Sequence, residues 1–93
     1  MKRSAFIINT ARGPIIRETD LIEAMQRRMI AGAALDVQDP EPPEPDNPLF
    51  RMDNVILTPH MGWKARETRQ RLISLVAANV DAFLRGEPVN LVQ

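Results

Sequence analysis

A chain of 93 residues with 44% hydrophobic content can form one small domain, and at that length it buries a modest share of its surface. Its 12 basic and 12 acidic residues give a net charge of +0 with the basic ones dispersed, which argues against a nucleic-acid footprint or an anionic-membrane patch and for a small partner. Without cysteine it has no disulfide, thiolate zinc site or cysteine nucleophile, and no apolar run is long enough to span a bilayer, so the chain reads as cytoplasmic.

The first apolar segment, Ala5 to Thr10, is short, rich in β-branched residues and closed by Gly13-Pro14, which predicts a buried strand. Leu21, Ile22, Met25 and Met29 then recur at helical spacing among charged residues, the pattern of an amphipathic helix. The run Ile30 to Val37 carries Gly32 and small alanines, as expected of a strand packed closely under a helix. From Gln38 to Asp53, Pro40, Pro42, Pro43, Pro45 and Pro48 forbid a regular helix or a paired central strand, leaving a loop with Leu49-Phe50 as its anchor. Val55 to Thr58 is a third short strand, with Pro59 holding Thr58 extended. Leu72, Val76, Val80, Phe83 and Leu84 mark a long helix from Lys64 to Arg85, stopped by Gly86 and Pro88.

Strand, helix, strand, loop, strand, helix is the order of a parallel α/β sheet, and in such sheets ligands bind beyond the carboxyl ends of the strands. Arg12, Glu41 and His60 each follow one of the predicted strands. A guanidinium can grip a carboxylate through two parallel hydrogen bonds, although a lone arginine is as readily a surface residue. Gly13 beside it permits a tight turn or a close approach of backbone to ligand. His60, the single histidine, can exchange a proton near neutral pH or serve a structural role at a strand end. Glu41 would supply a carboxylate to fix its tautomer, or is simply solvated charge. Asp36 ends an apolar strand, where it either binds a ligand amide or caps a neighbouring turn, and Trp63 either lines a pocket or packs on the last helix. Arg66, Arg69 and Arg71 form a solvated helix face. A single histidine without cysteine argues against a zinc site and no other metal site is expected, no serine sits in a nucleophile elbow, and Gly-x-Gly-x-x-Gly is absent.

Three blocks in register, Ile8-Asn9-Thr10-Ala11-Arg12-Gly13, then Gly32 to Val37 with Glu41-Pro42, then Asn54 to His60, resemble the C-terminal signatures of the D-isomer-specific 2-hydroxyacid dehydrogenases. The likeness extends to the ending Phe83 to Asn90. It implies the C-terminal part of a Rossmann-like parallel sheet followed by a long C-terminal helix. The implied activity is hydride transfer between NAD or NADP and C2 of a small 2-hydroxy or 2-oxo acid. Arg12 matches the arginine that binds the substrate carboxylate, His60 the acid-base and Glu41 its carboxylate partner. Thr10, Ala11, Arg12, Asp36, His60 and Gly62 fall on positions near the nicotinamide, and Arg12, His60 and Trp63 on the substrate pocket. Trp63 is similar to the glycerate dehydrogenase and hydroxypyruvate reductase branch.

The family is considerably longer than this chain. By the resemblance, residues 1–63 are the C-terminal half of an NAD(P)-binding domain and 64–93 a helix and tail returning toward a substrate-binding domain, in an enzyme that is a homodimer when intact. The glycine-rich phosphate turn is missing, and Arg17 stands where relatives often carry a helix-capping aspartate, which predicts a weaker helix start. The expectation is a dehydrogenase fragment that is inactive by itself. The alternative is a non-catalytic association module or one half of a split enzyme.

Overall fold

The computed structural model describes residues 1–92; Gln93, the end of the expected second segment, lies outside the described residues. The chain divides into two compact units, Met1–Gly62 and Trp63–Gln93. In the first, β1 (Phe6–Asn9), α1 (Glu18–Gln26), β2 (Gly32–Leu35) and β3 (Val55–Leu57) follow one another, with single 3-10 turns at Gly13–Ile15 and Pro48–Arg51. The second holds one helix, α2 (Arg66–Leu84). As the sequence predicts, the strands form a parallel sheet, and its order is β1-β2-β3, each strand a residue or more shorter than its apolar run at one or both ends.

The register explains why one face of the sheet carries the core. Ile7, Ala33 and Val55 share a rung, as do Asn9, Leu35 and Leu57; their side chains point toward α1 because successive residues of a strand alternate faces. There they meet Leu21, Met25, Ile30 and Leu49. Burial of a side chain of this size contributes roughly 1.5–3 kcal/mol, and Leu49, with 1% of its surface exposed, is the anchor expected of the proline-rich loop. Phe50 is not part of that anchor, since its side chain is half exposed.

Intervening rungs present the opposite face, where Phe6 lies over Gly32 and Ile8, Ala34 and Ile56 align. A Cβ on Gly32 would come within 2.8 Å of the Phe6 ring, so the small residue accommodates an aromatic and not the helix that the sequence suggested. The helix lies on the Ala33 side.

Both helices close with the same hydrogen-bond pattern. At the end of α2 the N–H of Gly86 reaches the carbonyl of Phe83 and that of Glu87 reaches Ala82, with Gly86 at φ 79°. This is the Schellman arrangement announced by glycine. At the end of α1, Arg28 takes the glycine's place at φ 49°, donating to Met25, while Met29 donates to Ala24. Met29 therefore lies beyond the helix and is half exposed, where the periodicity had placed it on the buried stripe. At its start Arg17 supplies no side-chain cap, in keeping with expectation, and Glu18 and Asp20 provide the negative charge that the first turn favours.

Candidate functional site

Beyond the rung Asn9-Leu35-Leu57 the three strands release their chains from the same edge. The ladder continues one step, with the N–H of Asp36 on the Asn9 carbonyl and that of Thr58 on the Leu35 carbonyl, at 2.9 and 3.0 Å. Arg12 and His60 each stand three residues past that rung, on strands separated by β2. At the usual spacing of parallel strands, β1 and β3 run about 10 Å apart.

The turn after β1 is built by Asn9. Its buried side chain accepts the Ala11 N–H at 3.1 Å and donates to the Arg12 carbonyl at 2.8 Å, an Asx-type turn that reverses the chain. Thr10, Ala11 and Arg12 are left exposed on its outer side. The Arg12 guanidinium donates to the Ala11 carbonyl at 2.7 Å, and among the described residues it forms no ion pair. Gly13 is buried because the backbone of Gln38 passes against it: a Cβ would fall 1.9 Å from the Gln38 carbonyl oxygen. The close approach that its sequence position suggested is thus made to this chain's own loop.

His60 and Glu41 meet. The imidazole Nδ1 lies 3.0 Å from both carboxylate oxygens, each side chain being about two-fifths exposed or less. An ionised carboxylate only accepts, so Nδ1 carries the proton in this contact and Nε2 is the nitrogen free to exchange one. The backbone of His60 is in the left-handed region, φ 49°, which a side chain with a Cβ adopts at a cost on the order of 1–3 kcal/mol.

Asp36 holds that turn in place. Its Oδ1 accepts the Thr58 hydroxyl and the Met61 N–H at 2.9 Å, and Oδ2 accepts the Gly62 N–H at 2.9 Å, so donors on both sides of His60 converge on one buried carboxylate. The Thr58 hydroxyl and then the Met61 N–H hold the Asp36 carboxyl below its ordinary value; burial opposes them, while the Gly62 N–H and the charge of His60 add to the lowering. Of the two roles open from sequence, the cap of a neighbouring turn is the one these contacts make. An ionised carboxylate offers about four lone-pair positions, and three are taken.

Trp63 opens the second unit, with its side chain about half exposed and its carbonyl accepting from Arg69 Nε at 3.1 Å. Arg69 also donates to the Lys64 carbonyl, so it closes the start of α2 instead of standing free on the solvated face. Asn9 and Thr58, which sequence reasoning passed over, prove as important to the turns as the charged residues. Asn followed by small residues after a strand is a recognisable turn signal. Thr58 had none, because its role depends on a carboxylate from another strand. Among the described residues no cluster of histidine, aspartate and glutamate has the make-up of a metal site, and no helix is long and apolar enough to cross a membrane.

Comparison with known proteins agrees with the geometry. The family described as "D-isomer specific 2-hydroxyacid dehydrogenase, NAD binding domain" matches residues 1–62. The chain is 45% identical over 92 residues to a hydroxypyruvate reductase of Blautia hydrogenotrophica and 47% identical over 93 to a glyoxylate reductase of Korarchaeum cryptofilum. It covers 99% of itself in both alignments but only 29% and 28% of those proteins, so it spans under a third of their length. A 2-hydroxyacid dehydrogenase of Xanthobacter autotrophicus, solved with NADPH and MES, superimposes on all of the chain with a TM-score of 0.82 at 38% identity, the chain covering 38% of that structure. On these matches the chain belongs to the D-isomer-specific 2-hydroxyacid dehydrogenases, its first 62 residues forming part of their NAD-binding domain.

Proposed function

We propose that this chain supplies the acid-base pair and the carboxylate-binding arginine for NAD(P)-dependent hydride transfer at C2 of a D-2-hydroxy or 2-oxo acid of glycerate or glyoxylate size. The observation that carries the reading is the His60–Glu41 contact at 3.0 Å on a left-handed turn. In the reducing direction the substrate carbonyl oxygen takes a proton from His60 Nε2 as C2 gains hydride; oxidation returns the proton to Nε2. Glu41 keeps the imidazole oriented and its tautomer fixed through the Nδ1 contact. Arg12, which forms no ion pair among the described residues, grips the substrate carboxylate through two donors.

The residues present fit the nicotinamide end of the cofactor. Thr10 and Ala11 are exposed at the carboxyl end of β1, and Asp36 retains a lone pair on Oδ2, beside Gly62, for an amide donor. They do not provide for its phosphates, since the chain's 4 glycines stand singly and form no glycine-rich turn. When bound, the nicotinamide supplies or takes the hydride. α2 leads toward the substrate-binding domain of the intact enzyme, which is a homodimer.

By itself the chain is inactive, because none of its described residues docks the pyrophosphate and so fixes the reactive geometry. The second reading, an association module or half of a split enzyme, is favoured by the sheet face left bare at Phe6, Ile8 and Ile56, which are 68%, 72% and 67% exposed. The test is to assay glyoxylate and hydroxypyruvate reduction with NADH and NADPH, using the chain alone and the chain fused to the complementary N-terminal portion of the Blautia relative. The fusion should turn over and the chain alone should not. In the fusion, His60→Gln should lower kcat on the order of a hundredfold or more. Arg12→Lys should raise KM and lower kcat together. A His60→Gln enzyme with most of its kcat would overturn the acid-base assignment.

A further inference from the structure

We infer that Glu18 is a positioning residue: its carboxylate closes the neck of the proline-rich loop and thereby sets Glu41 against His60. The inference rests on the acid-base reading above and goes beyond it, since Glu18 lies outside the three signature segments. The segment carrying Glu41 cannot secure itself through a backbone ladder, because Pro40, Pro42, Pro43 and Pro45 lack the N–H to form one. Its two ends are instead gathered by one side chain. Glu18 Oε2 accepts the Asp39 N–H at 3.3 Å, and Oε1 accepts from the Asn47 side-chain amide.

Each end is fixed independently beyond the clamp. Asn47 is buried, its Oδ1 accepts the Leu49 N–H at 3.0 Å, and Leu49 is sealed in the core. On the other side Gln38 is pressed against Gly13, next to Arg12. Glu18 itself is the first residue of α1, whose Leu21 and Met25 are buried, so the clamp is mounted on a packed element. Glu41 lies two residues from Asp39, inside the closed neck. A carboxylate suits this place because both groups facing it are donors; a glutamine would turn its own donor toward one of them.

The test uses the full chain and reads structure, not turnover, so an inactive enzyme leaves its outcome untouched. Nitrogen NMR of the His60 ring reports a hydrogen-bonded Nδ1–H, and amide exchange reports the Asp39 N–H. Glu18→Gln should remove the Nδ1–H signature and cut protection at Asp39 about tenfold, the usual effect of losing a hydrogen bond to a charged group. The amides of Ala33 and Leu35 should remain as protected as before. Glu18→Gln combined with Asn47→Asp exchanges donor for acceptor across the same contact, and should restore the His60 signature. A folded Glu18→Gln chain with an unchanged His60 ring, or a double variant that restores nothing, would overturn the inference. Should Glu18→Gln fail to fold, the unsubstituted chain decides: Asp39 exchanging as fast as the exposed amides of Asp46 and Glu44 refutes the clamp, and marked protection supports it.

Discussion

His60 occupies a backbone conformation that its side chain disfavours, and Asp36 makes that conformation tenable by gathering Thr58, Met61 and Gly62 around it. Because the folded-state pKa of Asp36 is lowered from 3.8, its contribution to stability is complete above that value and is lost as pH falls below it through the folded value. Asp36→Asn should therefore weaken the fold at neutral pH, since one amide oxygen cannot serve three donors and its NH2 faces another donor. The variant should also lose the component of acid destabilisation that sets in below about pH 4. Urea midpoints of both chains between pH 2 and 7 check this; equal midpoints at pH 7 would contradict it.

The two helix ends contrast in what they reveal about themselves. Gly86 is the residue a Schellman turn favours, and the end of α2 is readable from it. Arg28 makes the same turn at φ 49° against the preference of its Cβ, with only an exposed contact to Asp53 at 3.5 Å in return. Arg28→Gly should accordingly stabilise the first unit by about 1 kcal/mol, measurable as a higher denaturation midpoint. Gly13 is the reverse case. Its neighbour is the Gln38 backbone at a distance no side chain can enter, so Gly13→Ala should separate the Arg12 turn from the Glu41 loop. A loss of at least about 2 kcal/mol is expected, of the size found when backbone must shift in a packed site.

Each of the two units has apolar surface that its own folding leaves uncovered. Phe6, Ile8 and Ile56 form one bare sheet face, and in the second unit Leu72, Ile73, Val80, Phe83 and Leu84 of α2 are exposed, with Ala82 the helix's one buried residue. Contiguous apolar surface of this kind drives association. Sedimentation velocity should show concentration-dependent self-association, reduced by Ile8→Lys; a strictly monomeric chain at high micromolar concentration would contradict this. With so little buried, α2 should also exchange its amides far faster than β2 does.

Periodicity and punctuation determined much of this protein without its coordinates. Three short apolar runs with Gly or Pro behind them specify the strands, Leu21 and Met25 specify the face of α1, and the order of elements specifies a parallel sheet whose strand ends bring Arg12, Asp36 and His60 to one edge. These are properties of neighbours in sequence, where spacing translates directly into which side of an element a residue occupies. The partners of Asp36, the clamp at Glu18 and the end of α1 at an arginine were decided only in three dimensions. A carboxylate is satisfied by whichever donors packing delivers to it, and those donors, 22 residues away at Thr58 or 29 at Asn47, leave no periodic trace in the chain.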